Sequence, residues 1–211
     1  ITITRSAFTK ARRLAYKFYG RKVKKGYFSS LRPVDFDFIG KCYEQGLCGV
    51  DPLTVADLMP EIRNNSYSSS PVLILGDTGT GKEVVAKCIH QLGDRATKPF
   101  VVQNCAGIPE NLLESLLFGT KAGAYTGALK DREGLFDLAK DGIVFLDEIG
   151  EMSMHLQAKI LRVLNDGSYA PLGSQEEKEK KSEARVLTAT NKDLDQAIKE
   201  GDFRADLYYR L

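Results

Sequence analysis

The sequence predicts an α/β fold with a central parallel sheet covered by helices, and three features carry that expectation. Short apolar runs alternate with amphipathic stretches along most of the chain, the pattern of repeated βα units. The runs are apolar on both faces, as strands buried between two helical layers must be. A Gly-rich loop, Gly76 to Lys82, follows one such run and opens a helical stretch, and Asp147-Glu148 closes another.

The elements follow in order. Asp51-Pro52 starts a helix carrying Val55, Leu58, Met59 and Ile62 on one face. Asn64 to Ser70 reads as a polar connector, and Pro71 to Leu75 as a short strand. A helix is expected from Gly81 to about Leu92, a strand over Phe100 to Asn104, and a helix over Pro109 to Phe118 with Leu112, Leu113, Leu116 and Leu117 inside. Ile143 to Leu146 reads as a buried strand. Met154 to Leu164 reads as an amphipathic helix, with Leu156, Ile160, Leu161, Val163 and Leu164 apolar. Gln175 to Glu183 is a charged hairpin tip, Val186 to Thr190 a further strand, and helices run from Leu194 to the end.

Composition sets the bounds. The chain has 211 residues, 43% hydrophobic and 27% charged, with no tryptophan, which suits one α/β domain with a core of its own. No apolar run reaches the roughly 18 residues that a membrane helix needs. The N-terminus lacks a signal peptide's apolar stretch and cleavage site. Cys42, Cys48, Cys88 and Cys105 form no CxxC pair, so isolated thiols in a reducing cytoplasm are expected. Charge is uneven. Residues 1–34 carry ten of the 30 Lys and Arg and no acid, which leaves 20 basic against 28 acidic residues in the rest. Such an arm suits nucleic acid or an acidic partner, or is a solvated linker or the edge of a neighbouring domain. Phe8, Tyr16, Phe18, Tyr19, Tyr27 and Phe28 give it something to bury. A boundary near Gly46 divides this segment, residues 1–45, from the α/β domain, residues 46–211.

Gly76-Asp77-Thr78-Gly79-Thr80-Gly81-Lys82 fits the G-x-x-x-x-G-K pattern of a phosphate loop between strand and helix. Its glycines let backbone N–H groups curl around phosphates, the helix start adds a favourable dipole, and Lys82 neutralises the β- and γ-phosphates. A nucleotide is the expected ligand, and its hydrolysis the expected chemistry. Glu83 stands where a Ser or Thr commonly touches magnesium. Asp147 is placed to hold Mg²⁺ through water, and Glu148 to polarise the attacking water as general base. Asn104 ends the neighbouring strand, within expected reach of Glu148, as a switch or as a satisfied strand-end amide. Thr190 and Asn191 end a third strand, placed to sense the γ-phosphate or the attacking water. Arg204 and Arg210 lie on the last helical stretch, where an arginine suits a finger offered to a neighbouring subunit.

Between the loop and the acidic pair lies Gly123-Ala124-Tyr125-Thr126-Gly127-Ala128. A run of small residues with one aromatic ring, one hydroxyl and glycines to flex it is either a surface turn or a part that touches something else.

With these residues in view, the chain from about Gly46 to Leu211 resembles the AAA+ ATPase domain of bacterial enhancer-binding proteins, the activators of sigma-54 RNA polymerase. Gly49-Val50-Asp51-Pro52 resembles the family's entry segment beside the adenine. Gly-Asp-Thr-Gly-Thr-Gly-Lys-Glu at 76–83 matches the family's own loop, with glutamate after the lysine. Residues 114–128 match its remodelling loop, with Tyr125 where Phe is usual. Phe145 to Glu151, Leu156 to Lys159, Ala189-Thr190-Asn191 and Phe203 to Leu207 also fit. The resemblance implies a P-loop NTPase fold, a cytoplasmic ATPase with Mg²⁺, and a ring of six or seven subunits. It implies that Asn104 is a glutamate switch, that Arg204 and Arg210 act across the subunit interface, and that residues 123–128 engage sigma-54 to open the promoter complex. The sequence ends before the family's helical lid, so a lid absent or truncated is expected. DNA contact is expected only through a helix-turn-helix beyond this chain. Residues 1–45 match no receiver, GAF or PAS pattern. Two other readings stay open: a nucleotide-binding scaffold without remodelling activity, and a AAA+ remodeller with another client.

Overall fold

A computed structural model describes residues 41–42, 44–47, 52–124, 128–174 and 179–211, without the side chains of 52–57. The basic arm, Cys48, the segment 49–51, the side chain of Val55, residues 125–127 and the hairpin tip 175–178 therefore lie outside the described residues.

The elements are α1 (Pro52–Ser66), β1 (Val72–Leu75), α2 (Lys82–Gln91), β2 (Phe100–Asn104), α3 (Glu110–Phe118), α4 (Leu135–Ala139), β3 (Ile143–Asp147), a 3₁₀ turn (Ile149–Glu151), α5 (Met154–Asp166), β4 (Ser168–Tyr169), β5 (Lys180–Lys181), β6 (Arg185–Thr190), α6 (Leu194–Glu200) and α7 (Ala205–Tyr208). Strands β1, β6, β3 and β2 form one sheet in that order, parallel throughout. The short antiparallel pair β4–β5 stands apart and accounts for part of the expected hairpin.

Both faces of the sheet are buried, and the strand period of two sorts the side chains between them. Ile143 and Phe145 of β3, with Leu187 and Ala189 of β6, pack with Met59 and Ile62 of α1 and Val85 and Ile89 of α2. Val144 and Leu146, with Val186, pack on the other face with Leu113 and Leu117, Phe136, and Leu156 and Ile160. The two clusters are the helical layers that the doubly apolar strands foretold.

Two local expectations need correcting. Helix α1 continues into the expected connector as far as Ser66. The polar residues there serve its last turn: Asn65 Nδ2 donates to Glu61 O (2.9 Å) and Ser66 Oγ to Ile62 O (2.8 Å). Of the four leucines in α3 only Leu113 and Leu117 are buried, while Leu112 and Leu116 are exposed. A helical turn of 3.6 residues admits one leucine of each adjacent pair to the core. The inward position beside them goes to Glu114, which bonds Lys159 of α5 at 2.5 Å. Cys42 and Cys88 are free thiols, as the lack of a CxxC pair implies. Both are buried, and Cys88 Sγ lies 3.9 Å from Cys42 O. A hydrogen bond between the thiols lowers the Cys88 pKa and, with burial, raises that of Cys42.

Gly119, which ends α3, has φ 82° and touches the backbone where residues 132–134 return; a Cβ there would stand 2.5 Å from Arg132 O. That contact and the Thr120–Arg132 bridge pin the stem of the segment that carries residues 123–128.

Candidate functional site

The parallel register brings four strand ends to one edge of the sheet. Leu75 lies opposite Thr190, and Asn104 opposite Asp147. The bond from Gly76 N to Thr190 O (3.3 Å) and that from Cys105 N to Asp147 O (2.9 Å) extend the ladders past the strands. Residues 76–82, Asn104, Asp147, Glu148, Thr190 and Asn191 thus arise from separate parts of the chain at one place.

The phosphate loop is folded on itself. Thr80 Oγ1 donates to Asp77 O at 2.8 Å. Lys82 is buried, and its Nζ donates to Gly76 O (2.9 Å) and Asp77 O (3.2 Å). Gly81 caps α2 at φ 89°, a left-handed backbone, and supplies no side-chain cap. The first N–H groups of α2 consequently face the loop without a side-chain acceptor, as an anion site requires.

Glu148 is the junction of the site. Its Oε1 lies 3.5 Å from Lys82 Nζ, with both side chains nearly buried. Its Oε2 accepts from the Asn191 backbone N–H (3.1 Å) and from Thr190 Oγ1 (3.4 Å). The residue itself is left-handed, with φ 52° and ψ 50°, a conformation a glutamate holds only when its surroundings impose it. Asn191 also reaches the phosphate loop, where its Nδ2 donates to Thr78 Oγ1 at 2.9 Å. One strand end therefore grips both the loop and the carboxylate.

Asp147 accepts the Glu148 N–H on Oδ1 at 3.0 Å. Burial pushes its carboxyl pKa above the usual range, and the neighbouring charge of Glu148 adds to the effect. Cys105, next to both, is raised to about 12, first by burial and then by these two carboxylates. Among the described residues no group of three or more His, Cys, Asp or Glu stands ready to hold a metal ion. The donor set suits magnesium bound mainly by phosphate oxygens and water, with Asp147 behind a water. A cation there would relieve the raised Asp147.

Three of the expected site residues have local partners in the chain or lie away from the loop. Asn104 ends β2 beside Asp147, and its Oδ1 accepts the Ala106 N–H at 2.8 Å, the satisfied strand-end amide that was one of its two readings. The nearest turn N–H claims the amide, and Lys82, Thr190 and Asn191 hold Glu148 instead. Glu83 sits in the first turn of α2, yet its carboxylate pairs with Lys87 one turn on, at 2.7 Å. Only its backbone N–H remains for a phosphate. Arg204 is the residue before α7, and its guanidinium forks onto Asp206 of the same turn at 3.0 and 2.7 Å. Arg210, by contrast, is exposed and has no side-chain partner among the described residues. Neither arginine bonds to the phosphate loop or the acidic pair.

Of residues 123–128 the structure describes Gly123, Ala124 and Ala128, while Tyr125, Thr126 and Gly127 lie outside the described residues. Gly123 N donates to Ala128 O at 2.8 Å, which closes the loop at its base. Asp131 steadies one side through Lys121 (2.5 Å) and the Ala122 N–H (2.9 Å).

Two contributors escaped the reading of the sequence. Gln157 is fully buried and joins three elements: its Nε2 donates to Met152 O and Asp202 O, both at 2.9 Å, and its Oε1 accepts the Arg204 N–H at 2.8 Å. A lone amide on the apolar stripe of α5 was the signal. Lys192 donates to Gly150 O at 3.1 Å and pairs with Glu151 at 2.9 Å, bracing the turn after Glu148. Nothing in its spacing marked it.

Comparison with known proteins agrees with this geometry. Residues 51–211 match the family described as the sigma-54 interaction domain. The chain is 49% identical over 166 residues to a Nif-specific regulatory protein of Azorhizobium caulinodans, covering 79% of this chain and 26% of that protein. It is 52% identical over 157 residues to the anaerobic nitric oxide reductase transcription regulator NorR of Aeromonas hydrophila, covering 74% of this chain and 30% of the regulator. The crystal structure of NtrX from Brucella abortus in complex with ATP superposes with a TM-score of 0.69 at 34% identity, over 82% of this chain and 38% of NtrX. The chain thus spans about a quarter to two fifths of the length of these relatives. Its fold is the P-loop NTPase fold of the AAA+ class, and the chain belongs to the sigma-54 interaction domain family of transcription regulators.

Proposed function

We propose that this domain hydrolyses ATP at subunit interfaces of a ring and uses residues 123–128 to remodel sigma-54 RNA polymerase from closed to open promoter complex. The observation that carries the reading is the Glu148 carboxylate, held between Lys82 and the Thr190–Asn191 strand end. A pure binding module has no use for a strained, nearly buried carboxylate beside its phosphate lysine. The relatives are regulators by name, and NtrX has been crystallised with ATP and with ADP.

In this reading Lys82 and the first-turn N–H groups of α2 bind the phosphates. The phosphates draw Lys82 away from Glu148, which then accepts a proton from the water that attacks the γ-phosphorus. The bond from that phosphorus to the β-phosphate oxygen breaks, giving ADP and phosphate. Magnesium, when bound, neutralises charge on the phosphates, with Asp147 as its protein anchor. Asn191 orients the water or senses the γ-phosphate through its tie to Thr78. Asn104 serves as a switch if it exchanges the Ala106 N–H for Glu148. Arg210 stabilises the transferred phosphoryl group from the next subunit, and Arg204 joins it if Asp206 lets go. The setting is the cytoplasm, where the polymerase works.

Thr126→Ala is expected to leave ATP turnover largely intact and to abolish sigma-54 capture. The check is a pull-down with a transition-state nucleotide analogue, beside an ATPase assay on the same preparation. Capture by the variant equal to wild type removes the loop from the contact. Wild type that hydrolyses ATP yet never captures sigma-54 points to another client, and absence of turnover in an assembled ring points to a scaffold.

The shared site has its own test. Arg210→Ala subunits should bind ATP and hydrolyse it poorly, and mixing them with Lys82→Ala subunits should restore part of the activity. Intact Lys82 and Arg210 then meet at one kind of interface. Mixed rings that show no recovery at any ratio would confine Arg210 to its own subunit.

A further inference from the structure

Arg185 begins β6, at the opposite end of the sheet from the phosphate loop. It is 4% exposed and packs against the root of β1. Its Nε donates to Ser70 O at 2.7 Å and its Nη1 to Asn65 O at 2.6 Å. Its Nη2 is buried and has no partner among the described residues. A buried guanidinium nitrogen is destabilising when nothing accepts from it.

Arg185 lines a cleft of about 260 Å³, together with Tyr67, Ser68, Ser69, Asp94 and Arg95 among others. Arg95 brings a second guanidinium. Its Nη1 is fixed by the carbonyls of Asp141 (2.8 Å), Gly142 (2.8 Å) and Glu183 (2.9 Å), so it cannot swing away to solvent without losing them. Burial, and after it the charge of Arg95, pushes the Arg185 pKa down to about 10. Two cations are therefore held close by carbonyl oxygens, and neither forms an ion pair with a described carboxylate. Asp94 also lines the cleft.

We propose that this cleft is a binding site for a phosphate-type oxyanion, separate from the nucleotide site. The forked Arg185 and the fixed Arg95 supply charge-assisted donors, and Ser69 and Tyr67 supply hydroxyls at the mouth. The cleft is roomier than a bare phosphate needs, so inorganic phosphate and a small phosphomonoester share the required chemistry. The distance from the nucleotide site follows from β6 itself. Arg185 and Thr190 are its two ends, about 17 Å apart at the rise of a parallel strand. An anion at Arg185 would thus load the root of the strand whose tip holds Glu148.

The test titrates inorganic phosphate, and separately glycerol phosphate, against chloride at constant ionic strength, with excess ADP to fill the phosphate loop. The expected result is a rise in thermal midpoint of about 3 °C at ten times the dissociation constant, with shifts of the Arg185 and Arg95 Nε–H resonances. Tighter binding of glycerol phosphate supports an organic phosphate as the source, and equal binding supports free phosphate. Ser69→Asp, an exposed change that places a carboxylate at the cleft, should raise the midpoint in chloride and abolish the phosphate increment. Asp94→Asn should tighten binding several-fold. A midpoint that responds to phosphate no more than to chloride overturns the proposal. So does a response that Ser69→Asp leaves unchanged, or one without movement of the arginine resonances.

Discussion

Glu148→Gln should retain ATP binding and lower turnover by about 10²- to 10⁴-fold, the usual worth of a positioned base. The amide oxygen of glutamine still accepts from the Asn191 N–H, so the strained turn keeps its main anchor. What disappears is the charge that pairs with Lys82 and the basicity that takes the water's proton. Lys82→Ala should fail differently, because it removes a cation from the phosphates and weakens binding itself. Steady-state turnover measured beside nucleotide affinity separates the two. A Glu148→Gln enzyme with near-normal turnover would return the residue to a structural role.

How much of this was legible in the sequence depends on how local each feature is. The phosphate loop and the Asp147-Glu148 pair were legible because their chemistry lies in neighbouring residues. So was the three-layer architecture, since Ile143 to Leu146 has no polar face to turn outward. The partners of Glu148 were not legible, because Lys82, Thr190 and Asn191 meet it only through sheet register. Asn104 shows the same limit from the other side: its position at the strand end was readable, but the competition won by the Ala106 N–H was not. In α3 a run of four leucines concealed that only Leu113 and Leu117 face inward, with Glu114 committed to Lys159. The left-handed backbone of Glu148 has no signature in a glutamate at all.

Phe118→Ala should be the most damaging single change to stability, at about 3–5 kcal/mol. Phe118 is fully buried and stacks on Phe136 at a centroid distance of 5.7 Å, with Tyr169 at 6.2 Å. No backbone element can close over the space left, because Gly119 already touches the chain at Arg132. For a domain of this size the thermal midpoint should fall by roughly 6–20 °C. Phe118→Leu, which keeps most of the volume, should cost less than about 1.5 kcal/mol. Denaturant melts of both variants check this. Equal small losses would mean that the three rings are not a packed unit.

The strand order has a consequence for how the domain comes into being. Of the four described strands of the main sheet β6 comes last in the chain, and it lies between β1 and β3. Until it slots in, β1 has no neighbour on that side, and the loop it carries has no fixed base. A nascent chain that has just released the phosphate loop from the ribosome therefore holds a nucleotide motif without a nucleotide site. The contacts of Glu148 and Thr78 with Asn191 arrive in one step, when β6 wedges between β1 and β3. Such an order delays folding, since the described sheet pairing of β1 waits on a distant segment.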